Sequence, residues 1–142
     1  MTTPRPTRTW VSLLRGISLG ARNRVRMPDL RHALTAAGFA QVRTVSQSGN
    51  IVAVCPHSHP DQVAAAVQAV VDQVFGFLTP VIVRAPHERH QVLTWCPFPD
   101  AVSAPERLHV LHLDTAPASA AVAAFLQQDW EPTEWPTRTG NW

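Results

Sequence analysis

Between residues 9 and 84 the chain alternates β-type runs with helix-type repeats in the order strand, helix, strand, strand, helix, strand, and few folds satisfy that order. Residues 9–15 form an apolar run ending at Gly16, and residues 17–26 form a polar, basic loop. Pro28 suits the first turn of a helix and Asp29 its positive end, while Leu30, Leu34 and Ala37 recur at helical spacing up to the stop at Gly38. Residues 41–46 read as a second strand, Ser48-Gly49-Asn50 as turn chemistry, and Ile51 to Cys55 as a third strand. After the loop begun by Pro56, Val63, Val67, Val70, Val71 and Val74 line one face of a helix over 60–75 that stops at Gly76, and residues 80–84 are a fourth strand.

This βαββαβ order predicts an α/β (α+β) fold of the ferredoxin-like plait type. A right-handed crossover makes strands one and two parallel, with strand three between them. The C-terminal ends of strands one and two then share one rim of the sheet, where loop 15–26 leaves one strand and turn 47–50 the other. The plait is assigned to residues 1–85. Residues 86–142 read as a truncated second α/β unit: a helix over 86–95, Cys96-Pro97-Phe98-Pro99, a strand over 107–113, a helix over 117–129 begun by Pro117, and a Trp-rich tail.

The segment from Val11 to about Asp114 resembles a bacterial family known as domain of unknown function 1697. The residues that carry the likeness are Leu13-Leu14-Arg15-Gly16-Ile17, Asn23-Arg24-Val25, Met27, Gly38-Phe39, Val42-Arg43-Thr44 and Gln47-Ser48-Gly49-Asn50, with Pro97-Phe98-Pro99 and Leu108-His109-Val110 further on. The resemblance implies two α/β plaits in tandem and no particular reaction. Ser18 stands where the family usually has asparagine, and Val45-Ser46 where Tyr-Ile is usual. Measured against the family, the C-terminal part is shortened, so the second sheet needs its open edge covered by the tail or by another subunit.

Composition narrows the function classes. No run reaches the roughly 18 apolar residues of a membrane span, and Met1 to Thr9 lacks an apolar signal core, so a cytoplasmic protein with no membrane partner is expected. Cys55 and Cys96 are expected to be free thiols without an activating base. The 12 basic residues are all arginine, a pattern that follows GC-rich coding. Net charge is only +2, so the whole surface is no polyanion binder by charge, but seven of the arginines fall within residues 1–31, where a local basic patch is expected.

The candidate binding residues are therefore Arg15, Arg22, Asn23, Arg24, Gln47, Ser48 and Asn50 as a polar anchor for a carboxylate or phosphate. Trp95 and Trp130 are added as an apolar wall, because four of the five tryptophans lie in residues 95–142. The competing structural reading gives Gly16, Gly49 and Asn50 to turn geometry and leaves the arginines solvated. Neither a phosphate-loop nor a dinucleotide fingerprint is present, and no histidine spacing matches a metal site, so no metal and no cofactor are expected. His109 and His112 are alternative candidates for a general base. The sequence thus points to a small-molecule-binding protein with a small organic ligand. Its enzymatic form would cyclise or isomerise a bulky substrate in bacterial specialised metabolism, with catalytic residues unassigned. The alternatives are a nucleic-acid-binding module using the same arginines, which lacks the aromatic pattern of an RNA-reading plait, and a non-catalytic partner that forms a homodimer.

Overall fold

Eight elements follow one another: β1 (Arg8–Leu14), α1 (Met27–Ala36), β2 (Ala40–Val45), β3 (Asn50–Cys55), α2 (Pro60–Phe75), β4 (Val81–Arg84), α3 (Pro86–Thr94) and α4 (Ser119–Leu126). The computed structural model describes residues 7–96, Phe98, Glu106 and residues 108–128. The chain divides into two units between His87 and Glu88.

The first unit is the plait. Its sheet has the order β2-β3-β1-β4, and every neighbouring pair is antiparallel. β1 and β2 therefore run parallel with β3 between them, as the element order predicts. Leu13 and Val45 both register against Asn50, so the ends of β1 and β2 flank the start of β3.

Alternation along the strands decides which side chains form the core. Trp10 and Leu14 of β1, Ile51, Ala53 and Cys55 of β3, and Val81 and Val83 of β4 are buried together with Leu30 and Leu34 of α1 and Val63, Val67, Val70 and Val71 of α2. α1 packs on β2, and α2 packs on β4 and β1. Each such Val, Leu or Ile contributes about 1.5–3 kcal/mol by leaving water. Residues of the opposite parity, among them Val11, Leu13, Val52, Val54 and Ile82, belong to the other face of the sheet. Two polar ties reinforce the layers: Arg31 Nη1 of α1 donates to Thr44 Oγ1 of β2 at 2.6 Å, and Trp10 Nε1 donates to the His57 carbonyl at 3.0 Å.

The structure corrects the sequence reading in three places. Val74 is 54% exposed, because Phe75 and Phe77 pack against the core at that end of α2 instead. Residues 108–113 form no strand: the sheet of the described residues consists of β1 to β4 and does not include them. The last described helix is shorter than 117–129, running Ser119–Leu126 behind Ala118 as its N-cap. Neither α3, which begins two residues before the division, nor α4 has a buried residue.

The turn from β2 to β3 is locked to β1 at Gly49. Leu14 N donates to the Gly49 carbonyl at 3.2 Å, and Gly49 has φ +79°. A Cβ there would lie 2.5 Å from Ile17 Cδ1 and 3.0 Å from Leu14 Cβ. Both the left-handed backbone and the close approach demand glycine. Gly49→Ala should therefore destabilise the protein by about 2–4 kcal/mol, read as a fall of about 10 °C or more in thermal midpoint. A midpoint unchanged from the parent would show that loop and turn do not press together.

Candidate functional site

The rim at the end of β1 is built by a loop that folds upon itself. Ser18 N donates to the Asn23 carbonyl at 2.7 Å, and Leu19 and Arg22 form an isolated antiparallel bridge. The Ser18 hydroxyl takes a bond from Val25 N at 3.2 Å and donates to the Val25 carbonyl at 3.4 Å, clamping the two legs of the loop. Asn23 Nδ2 donates to the Gly16 carbonyl at 3.3 Å. Ser18 and Asn23 both have positive φ, at 54° and 50°, a conformation that short polar side chains tolerate best.

Apolar side chains nail this loop to the plait. Ile17, Val25 and Met27 are all buried in the same core as α1 and α2. Arg15 is held by its backbone: its N–H donates to the Pro80 carbonyl at 3.0 Å, and its carbonyl accepts from the buried Thr79 hydroxyl. Along residues 22–26 the side chains divide by position. Val25 is buried and Asn23, itself exposed, spends its amide on the Gly16 carbonyl, while the exposed Arg22, Arg24 and Arg26 face solvent. Arg24 Nε donates to the Gly20 carbonyl at 3.5 Å, and Arg26 lies 3.6 Å from Asp29 in an exposed pair worth little to stability.

Between this loop, the first residues of α1 and the β2–β3 turn lies an open cleft of about 500 Å³, lined by Ser18, Gly20, Arg24, Val25, Arg26, Met27, Pro28 and Gln47. Of the residues that the sequence reading singled out, Arg24 and Gln47 line it. Arg15 and Arg22 stand exposed on the same rim. Asn23 spends its amide inside the loop, the Ser48 hydroxyl contacts the Ser46 hydroxyl, and Asn50 is a half-buried first residue of β3. Trp95 belongs to the second unit, 72% exposed just after α3, and Trp130 lies outside the described residues. Sequence reasoning missed Ser18, Gly20, Val25, Arg26, Met27 and Pro28 as lining residues. The available signal was the two-residue step from Arg22 through Arg24, which continues to Arg26.

Histidines do not assemble a site here: among the described residues no group of three or more His, Cys, Asp or Glu side chains could hold a metal ion. His57 lies with its ring tilted against Phe39, centroids 6.5 Å apart. His109 is exposed and His112 half-buried, and neither is on a strand. Burial pushes the Cys55 thiol up, a backbone hydrogen bond from His57 opposing this only in part. The thiolate is the reactive form, so Cys55 should resist iodoacetamide at neutral pH until the protein unfolds. Half-buried Cys96, whose thiol donates to the Phe98 carbonyl, serves as the internal comparison and should alkylate first. Peptide mass mapping that finds Cys55 modified first in the native protein would contradict this.

Among solved structures, the conserved bacterial protein SP0830 from Streptococcus pneumoniae is similar to this chain, with 25% sequence identity and a TM-score of 0.57. The similarity covers 65% of this chain and 51% of that one, so the chain spans about half the length of this relative. No curated protein matches it. Among the described residues no helix is long and apolar enough to cross a membrane. A family model covers residues 7–141, well beyond the stretch that carries the motifs of the rim, and the chain belongs to that family, described as "Protein of unknown function (DUF1697)".

Proposed function

We propose that the protein binds a small organic ligand in the cleft between loop 16–26, the start of α1 and the β2–β3 turn. The observation that carries this reading is the convergence of Arg24, Arg26 and Gln47 around about 500 Å³ of open space on a loop already fixed by its own hydrogen bonds and by Ile17 and Val25. That volume falls within the range of small-molecule sites. A preformed loop spends little conformational entropy on binding, which favours affinity. In its enzymatic form the reading is a cyclisation or isomerisation guided by shape. The lining residues include no carboxylate, imidazole or thiol, and Ser18 has its hydroxyl engaged with Val25, so such a reaction would rest on orientation of the substrate.

A second reading is favoured by the outward row of Arg22, Arg24 and Arg26. Three exposed guanidinium groups within five residues suit contacts to the phosphates of a nucleic-acid strand. Against it, the only aromatic residue in the four sheet strands is Trp10, which is buried in the core and gives no base a platform.

Amide-detected NMR with a fragment library tests the first reading. Ligands should shift residues 18–27 and 47 together, and the Arg24→Ala/Gln47→Ala double variant should lose affinity about tenfold or more while keeping its thermal midpoint, because both side chains are exposed. Fragments that perturb other regions and leave this cleft silent would refute it. Oligonucleotide binding over a salt series decides the second reading: three phosphate contacts give a log–log slope of about −2, and a flat response removes it.

A further inference from the structure

Resting on the cleft reading above for its functional meaning, we propose that Thr79 is a positioning residue of the cleft. Its hydroxyl supplies the hydrogen-bond donor that Pro80 lacks, and so fixes the point from which loop 16–26 departs. The β1–β4 ladder pairs Leu13 with Ile82 and Leu14 with Val81, and the next pair in that register is Arg15 with Pro80. In an antiparallel ladder the two residues of a hydrogen-bonded pair exchange both N–H to C=O bonds. Here Arg15 N donates to the Pro80 carbonyl at 3.0 Å. The returning bond needs a backbone N–H at residue 80, and proline has none. Left to the backbone alone, the ladder would miss a donor at the last residue before the loop.

Thr79 closes this gap. Its hydroxyl donates to the Arg15 carbonyl, while the Pro80 carbonyl lies farther off at 3.4 Å. At 2% exposure Thr79 makes this bond away from bulk water, where losing it is costly. Thr79 is itself anchored, because Gln68 Nε2 of α2 donates to its carbonyl at 3.1 Å. A continuous chain of bonds thus runs from α2 through residues 79 and 80 to residue 15. Beyond it come Gly16, whose carbonyl receives the Asn23 amide, and Ile17, which meets Gly49. A peptide group is planar, so fixing the Arg15 carbonyl also fixes the direction of the Gly16 N–H. The entry into the loop that presents Arg24 is set there.

Amide NMR on a set of variants tests this without any ligand, so a failure here and a failure of the cleft reading are seen in separate experiments. Thr79→Val keeps the volume and removes the donor. Resonances of residues 16–25 should then move, and the Ser18 and Val25 amides, bonded inside the loop, should exchange about tenfold or more faster. Thr79→Ser keeps a hydroxyl and should match the parent. Pro80→Ala introduces an N–H at an exposed residue and should change little alone. Combined with Thr79→Val, it should return the loop resonances and exchange to near parent values, because the new N–H donates to the Arg15 carbonyl. A threonine that merely filled space would gain nothing from a donor at the next residue. Should Thr79→Val fail to fold, the double variant decides, since a folded spectrum with parent loop resonances supports the donor role. Residues 16–25 unmoved in a folded Thr79→Val, or a double variant that does not recover, would overturn it.

Discussion

The contact between Gly49 and Ile17 is the constraint on which the rim depends. It is the point where a loop leaving β1 touches a turn leaving β2, segments about thirty residues apart in the chain. Because the carbonyl of Gly49 also receives Leu14 N, the approach is fixed by a hydrogen bond on one side and by packing on the other. These two contacts set the loop beside the turn, whose Gln47 lines the cleft together with Ser18 and Gly20 of the loop. The sheet supplies the frame for both: β3, antiparallel to both neighbours, brings the end of β1 and the end of β2 to either side of Asn50.

Much of this was legible in the chain. The βαββαβ order and the stops at Gly38 and Gly76 follow from local rules that act within a few residues, and the helix faces follow from spacing. The meeting of loop and turn was legible too, because topology alone requires it once the order is known. Val74 was misread because spacing marks a face and not how far the sheet beneath it extends. Residues 108–113 were misread for a different reason. Leu-His-Val-Leu-His-Leu has strand composition, but a strand is a pairing between segments, and composition cannot supply the partner.

Within the site, sequence logic located the neighbourhood better than the roles. Asn23 and Ser48 look like recognition chemistry on paper, and they turn out to be occupied with the architecture of the rim. Ser18 does the work of a clasp with a single hydroxyl that both donates and accepts. Met27 and Val25 read as ordinary core residues and are so, their side chains buried at the edge of the cleft's lining. Polar residue type reveals that a segment is specialised. Whether a given amide bonds the chain or faces outward is decided by backbone conformation, here the positive φ of Ser18 and Asn23, which no composition rule specifies.

The division of labour along residues 22–26 has a consequence for how such a protein can diversify. Positions 23 and 25 hold the scaffold, and positions 22, 24 and 26 present what lies outside it. Support and selectivity are therefore written on alternating letters of one pentapeptide. A descendant could exchange every second residue and acquire a different appetite without disturbing the framework beneath.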